Sequence, residues 1–459
     1  MITDTPKERI EEIIASQRQF FRSHATLSID YRLEALRRLR GAILEFEEPL
    51  TRALYQDLHK SYEEAYLTEL SIVLGEIDGF LKHLKSWAKP SKKRTPLKMF
   101  PSRSVILTEP LGVSLIIAPW NYPVQLLLNP LVGAIAAGCT AVLKPSPYTP
   151  NVAKVLEELI RKTFDSNYVA LVQGHRLTNT LLLDERYDVI FFTGSPELGR
   201  SVMRSAATNL CPVILELGGK SPVVVDSSAD VDLAARRIAW GKTLNSGQTC
   251  IAPDYLLLHR DVKDRFVEAF GRAVRELHGE DVRESPHYVR MVSKRAFERV
   301  ASYLKDGRVL FGGTTVAEER YIEPTLLDEV AVDSPVMSEE IFGPILPIVT
   351  INNLDEAIDF INDREKPLAL YAFGKEGKMR RVFDLTSSGG GCINDTIMNI
   401  ANEYLPFGGV GNSGMGRYHG RDSLYAFSHR RSVVISPTWL DLPFRYMPYR
   451  LFRWVKRLI

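Results

Sequence analysis

Apolar positions over the first ninety residues recur at helical spacing. Ile10, Ile13, Ile14, Phe20 and Phe21 form one stripe, spaced as on one face of an α-helix. Thr5 reads as the cap of this helix, with Pro6 at its first position and Glu8 completing a capping box. Further helical patterns follow to about Trp87, with almost no strand signal. From Ser104 the period changes. Val105–Thr108, Val113–Ala118, Thr140–Lys144, Asp188–Thr193 and Pro212–Leu217 are short apolar, β-branched runs. Helical stretches at about 122–138, 149–164 and 196–207 separate them. Near-continuous apolar strands alternating with helices predict a parallel sheet covered on both faces, an α/β fold. A second such series opens at Ser221–Asp226 and runs to about residue 415. No internal repeat or low-complexity tract interrupts either.

Composition narrows this further. A chain of 459 residues is too long for one ordinary core, so two or three domains are expected. With 45% apolar and 25% charged residues it has the balance of a globular protein, and a net charge of +2 gives no global pull toward nucleic acid. Lys82–Arg103 holds eight Lys/Arg and no acidic residue. Without an interleaved aromatic platform or a known nucleic-acid motif it reads as a solvated linker or subunit-edge strand rather than a polyanion site. Cys139, Cys211, Cys250 and Cys392 are scattered, with no Cys-x-x-Cys pair. That spacing predicts neither a zinc site nor disulfides, and a reducing cytoplasm is the expected setting. The start, Met1–Glu8, is polar and lacks a signal-peptide core, and no apolar stretch approaches a membrane span. The aromatic and basic ending, with Arg445, Tyr446, Tyr449, Arg450, Phe452, Arg453, Trp454, Lys456 and Arg457, reads as an amphipathic element packing on a neighbouring subunit or at a site mouth. Peripheral membrane contact through it is the weaker reading.

Two segments carry candidate chemistry. Asn245-Ser246-Gly247-Gln248-Thr249-Cys250 offers a thiol on a Gly/Ser-rich turn, and Val213–Leu217 offers Glu216 at the end of an apolar strand. Either residue alone is more often structural. Glu216, however, is followed by Gly218-Gly219, a flexible mouth rather than a packed core. Together a nucleophile and a proton-moving carboxylate suggest acyl chemistry through a thioester. Asn121, just past a strand, either caps the next helix or donates its side-chain N–H to an oxyanion. Lys144, ending a strand, either snorkels to the surface or binds a ribose or phosphate. In Phe192–Arg200 a strand runs into Gly194 and Ser195 and then a helix whose N-terminus can face phosphate, while Gly199 lets that helix pack closely. Gly409–Gly414 fits Gly-x-Gly-x-x-Gly but follows no strand and opens no helix, so it reads as a loop and not a pyrophosphate cradle.

Several motifs in order, Pro119–Pro123, Phe192–Ser195, Leu215–Pro222, Gly247–Cys250, Glu339–Pro344 and Pro406–Gly414, resemble the aldehyde dehydrogenase superfamily over about residues 8–450. Cys250–Tyr255 and Ser428–Ser432 resemble its class 3 branch, which acts on fatty and aromatic aldehydes. The resemblance implies a Rossmann-like NAD(P) domain (1–87 and 104–217), an α/β catalytic domain (218–417), and a bridging and dimerisation element with the tail (88–103 and 418–459). It implies attack by Cys250 on a medium-chain or aromatic aldehyde, an oxyanion held by Asn121 and the Cys250 backbone, and hydrolysis assisted by Glu216. It also places Trp120 beside the cofactor, Lys144 at the adenosine ribose and Gly194 and Ser195 at the phosphates. Glu340 is placed at the nicotinamide ribose and Phe342 against the nicotinamide. One position departs. The family commonly has glutamate after Lys-Pro-Ser, where this chain has Pro147, which implies acceptance of NADP as well as NAD. Two alternatives remain open: a CoA-acylating relative, disfavoured by Glu216, and a catalytically silent binding paralogue.

Overall fold

The computed structural model describes residues 2–441, 443, 446–449, 452, 453 and 456. Arg445, Arg450, Trp454 and Arg457 of the tail lie outside them. The chain opens with helices Lys7–Arg22, Ile29–Glu45, Glu47–Leu58 and Ser71–Trp87, with a short turn Tyr62–Ala65 and a π-helical turn Tyr66–Leu70 between the last two. Ile10, Ile13 and Ile14 are buried as their spacing requires. The capping box is not formed. Pro6 occupies the cap position without a side-chain bond, and Thr5 Oγ1 instead donates to Gln173 O at 2.9 Å, tying the terminus to a distant loop.

Five parallel strands build the first sheet, in the order Val213–Leu217, Val189–Gly194, Val113–Ile117, Thr140–Lys144, Val169–Leu171. Every residue of the strands at 113–117 and 140–144 is buried, and each fully buried Val, Leu or Ile contributes about 1.5–3 kcal/mol. The chain runs outward from the strand at 113–117 through 140–144 to 169–171, then returns to 189–194 on the other side. That reversal opens a crevice beyond the carboxyl ends of the strands at 113–117 and 189–194, where open α/β sheets bind ligands. Gly414–Met415 adds a sixth, antiparallel strand, pairing Gly414 with Glu216. The segment read as a loop closing the second series therefore ends on the first sheet.

The second sheet has seven strands, in the order Arg308–Phe311, Thr325–Asp328, Ile345–Ile351, Tyr255–His259, Pro222–Val225, Ala369–Phe373, Gly390–Ile393, all parallel but the first. Cys250 lies just before its strand Tyr255–His259 and Glu340 just before Ile345–Ile351. Carboxyl ends of one sheet thus meet amino ends of the other, joined by Gly218–Ser221.

One strand assignment needs correction. Val105–Thr108 is not part of the parallel series. Arg103–Pro110 forms the centre of a three-stranded antiparallel sheet, with Ser91–Lys93 on one edge and Ser428–Ile435 paired along its full length on the other. Its residues are half-buried rather than enclosed, and an apolar β-branched run alone does not distinguish these environments. Ser91–Lys93 accounts for part of the basic stretch, since lysines on an edge strand discourage further pairing.

Candidate active site

The thiol loop begins where the helix Val231–Thr243 stops. Asn245, Ser246 and Gly247 follow one another in the left-handed region, with φ of 50°, 51° and 71°. Two non-glycine residues there cost about 1–3 kcal/mol each unless the surroundings hold them. They are held. Asn245 N donates to Glu64 Oε1 at 3.0 Å, and its side-chain amide donates to Asn121 O and Gln248 O, each at 3.0 Å. Ser246 Oγ donates to Val289 O. The Gln248 side chain spans from Asn245 O and Arg290 O to Val292 N. Tyr122 OH and Thr249 Oγ1 lie 2.6 Å apart, adjacent to the thiol. A Cβ on Gly247 would stand 2.3 Å from Gly343 O, in the backbone that follows Glu340. Gly247→Ala is therefore expected to lower kcat/KM by about 10²-fold, the cost of an ångström-scale misplacement. Steady-state kinetics beside a thermal melt would check this.

Cys250 and Glu216 line one cavity of about 360 Å3. Its walls are apolar, with Leu67, Ile72, Trp240, Leu244 and Met398 among them. Glu216, Gln125, Thr193 and Tyr418 are the polar part of its lining, and Thr193 Oγ1 and both Glu216 carboxyl oxygens are buried without a protein partner. Apolar walls with a few converging polar groups are the usual form of a small-molecule site. Glu216 is 2% exposed, and both its carboxyl oxygens lack partners. Strand alternation sets this, since Leu215 and Leu217 pack into the core on the opposite face. Burial raises its carboxyl well above the ordinary range, and Arg417 only partly opposes that. The Cys250 thiol is pushed up to about 12, chiefly by burial, then by the charges of Glu340 and Glu216. Burial also carries Glu340 to about 8, helped by Asp254 and opposed by Gly219 N–H, Lys220 and Arg299. The site stores its chemistry in neutral forms.

The remaining expected residues gather at the crevice. Trp120 and Phe342 meet edge to face, with centroids 5.5 Å apart. Lys144 is buried at its strand end, donates to Pro145 O at 2.8 Å, and is lowered to about 8 by desolvation. It is not a snorkelling surface residue. Gly194 ends its strand and Ser195 caps the helix Pro196–Ala207, its Oγ accepting from Leu198 N. Gly199 serves packing, because a Cβ there would stand 2.7 Å from Leu217 Cδ2. A Cβ on Gly218 would stand 2.1 Å from Glu340 Oε2, which binds that loop closely to Glu340. Asn121 does not cap the helix Gln125–Ala137. Its Nδ2 donates to Gln248 O at 3.1 Å, and Glu69 Oε2 takes the cap by accepting Val124 N at 2.9 Å and Gln125 N at 3.0 Å. Sequence reasoning missed Glu64, Glu69 and Lys60, as well as Tyr122 and Tyr418. No pattern marks a charged residue on a helix or in an adjoining loop as one whose charge faces inward.

A model of the aldehyde dehydrogenase family matches residues 1–433. The chain belongs to the aldehyde dehydrogenase family. It is an enzyme of the NAD(P)-linked oxidation of aldehydes, and its relatives include several family 3 members. It is 48% identical to a Staphylococcus aureus 4,4'-diaponeurosporen-aldehyde dehydrogenase over 97% of this chain and 98% of that protein. It is 45% identical to the dog aldehyde dehydrogenase described as dimeric and NADP-preferring, over 96% and 98%. A solved Staphylococcus aureus AldH in a substrate-bound state superposes with a TM-score of 0.96 at 47% identity, covering 98% of this chain and 99% of that one. Among the described residues no helix is long and apolar enough to cross a membrane.

Proposed function

We propose that this aldehyde dehydrogenase converts medium-chain aliphatic or aromatic aldehydes to carboxylic acids, with Cys250 as nucleophile, Asn121 as oxyanion donor and Glu216 as the base for hydrolysis. The observation that carries this reading is the shared cavity, in which the Cys250 thiol and an unpartnered buried carboxyl stand between apolar walls. The Cys250 thiol gives its proton to solvent, and the sulfur bonds to the aldehyde carbon as the carbonyl π pair moves onto oxygen. Asn121 Nδ2 keeps one hydrogen on Gln248 O and has a second to give that oxygen, beside the Cys250 backbone N–H. Trp120, Phe342 and Glu340 would hold an oxidised nicotinamide, which would supply the hydride acceptor for that carbon and so leave the acyl group as a thioester on Cys250. Glu216 takes a proton from water as the water attacks that thioester, the C–S bond breaks, and sulfur recovers its proton.

The residues present suit a dinucleotide. Glu340 Oε1 is buried without a partner, Ser195 opens a helix N-terminus, and Lys144 has only a backbone carbonyl as partner. In this reading Lys144 holds the adenosine ribose, Gly194 and Ser195 the phosphates, and Glu340 the nicotinamide ribose between Trp120 and Phe342. Gly199 supports them by packing. Pro147 leaves no carboxylate where it would repel a 2′-phosphate. The dog relative's NADP preference agrees with this. The expected kcat/KM for NADP is at least equal to that for NAD, and Pro147→Glu should shift the ratio toward NAD by about 10-fold or more, since like charges brought together cost several kcal/mol. Reduced-cofactor formation on a panel of aliphatic and aromatic aldehydes, with each cofactor and with CoA added, tests the whole reading. No turnover on any aldehyde, or acyl-CoA as product, would overturn it.

We assign the assembly as a cytoplasmic homodimer. Four unpaired cysteines support the compartment. The half-exposed edge strand Ser428–Ile435, with Val434 and Ile435 outward, and the dog relative's description as dimeric support the assembly. The division into cofactor domain, catalytic domain and bridging element rests on the three sheets. Peripheral membrane contact through the tail finds no support beyond its charge.

A further inference from the structure

Lys60 and Glu69 form an ion pair at 2.7 Å with both side chains fully buried. They come from the N-terminal helical region, yet every other partner of the pair belongs to the segment around Asn121. Lys60 Nζ also donates to Asn121 O at 3.1 Å and lies 4.0 Å from the centre of the Tyr122 ring. Glu69 Oε2 receives Val124 N and Gln125 N. From the other side Asn121 O receives the Asn245 amide, and Tyr122 OH meets Thr249. Glu64, one turn from Glu69, receives Asn245 N. Three charged residues from one short stretch therefore grip both the oxyanion-donor segment and the thiol loop. The π-helical turn Tyr66–Leu70 lets this stretch serve two purposes: Leu67 and Thr68 reach the cavity while Glu69 points into the core. Such turns recur at functional sites.

Stability alone is a poor reason for this arrangement. Burying two charges costs desolvation that the pair barely recovers, and neutral replacements of similar volume are often as stable. Geometry is a better one, because an oxyanion donor acts only when held at the position of the developing charge. We propose that Lys60 and Glu69, with Glu64, are positioning residues that fix Asn121 relative to Cys250. This rests on the assignment of Asn121 and Cys250 above.

The test is the double variant Lys60→Met/Glu69→Gln, which removes both charges and keeps an oxygen to accept Val124 N and Gln125 N. With NADP and hexanal, its first-turnover rate of NADPH formation should fall by about 10²-fold, with the melting temperature near that of the parent. Combined with Asn121→Ala it should lose little more, since both changes remove the same placement. Should the double variant not fold, Glu69→Gln alone is expected to lose about tenfold in first-turnover rate, a part of the same misplacement. An unchanged first-turnover rate in whichever variant folds, or losses that multiply fully with Asn121→Ala, would overturn the proposal. Asn121→Ala reacting at the parental rate would instead sink the catalytic assignment on which it stands.

Discussion

Cys250→Ala is expected to abolish aldehyde turnover, a loss on the order of 10⁶-fold, as when a nucleophile is deleted, while reduced-cofactor binding followed by fluorescence stays intact. The other thiols offer no substitute. Cys139 is buried against Phe427 O, Cys211 donates only to Pro212 O, and Cys392 faces Asn399. None of them lines the cavity with Glu216. Their individual replacement by serine should leave turnover within a few-fold of the parent. Alkylation distinguishes the thiol further. Burial and the two neighbouring carboxyls push Cys250 up to about 12, so in the cofactor-free protein the thiolate is a minor species. Because a raised thiol pKa leaves the anion scarce until high pH, the alkylation rate should climb about tenfold per pH unit through pH 9 without a plateau. Turnover surviving in Cys250→Ala would refute the assignment, and a plateau below pH 7 would refute the raised pKa of the thiol. Burial is the main cause of the raised value, so activation requires a group that stabilises the thiolate, which a cationic nicotinamide would supply.

Much of the fold was legible because its parallel strands are enclosed on both faces. Thr140–Lys144 reads as a strand with its observed limits, since every residue must be apolar or end-placed. The helical stretch at about 196–207 is the observed helix Pro196–Ala207, which Ser195 caps with Pro196 at its first position. Val105–Thr108 has the same composition as those strands, and only tertiary context puts it in a half-covered antiparallel sheet. Gly414 is a similar case: a two-residue pairing with Glu216 leaves no periodic trace. In the site, Cys250 and Glu216 were visible as residue types on suggestive turns, whereas Trp120, Glu340 and Phe342 came only through family resemblance. Lys60, Glu64 and Glu69 were invisible for a definite reason. On a helix or in the loop beside it, a desolvated charge and a solvated one occupy the same kind of position, and the difference lies in partners 55 to 181 residues away.

Glu216→Gln separates the two halves of the reaction. The amide matches a protonated carboxyl in shape and charge, and the carboxyl it replaces makes no protein hydrogen bond. Folding and thiol attack should therefore survive, and the melting temperature should hold or rise. The variant should release one equivalent of reduced cofactor per subunit in a fast first turnover, then continue about 10²–10⁴-fold more slowly, the usual worth of general-base help. Mass spectrometry during the slow phase should find the acyl group on Cys250. The pH dependence carries the sign of the shift. A base must be ionised to take a proton from water, and burial raises the Glu216 carboxyl well above its ordinary value. Release in the parent should thus increase with pH through an inflection displaced well above the normal carboxylate range, and that inflection should vanish in the variant. Parental steady-state rates in Glu216→Gln would remove Glu216 from hydrolysis. Loss of the burst itself would place Glu216 in thiol activation instead, as the acceptor of the proton that Cys250 gives up.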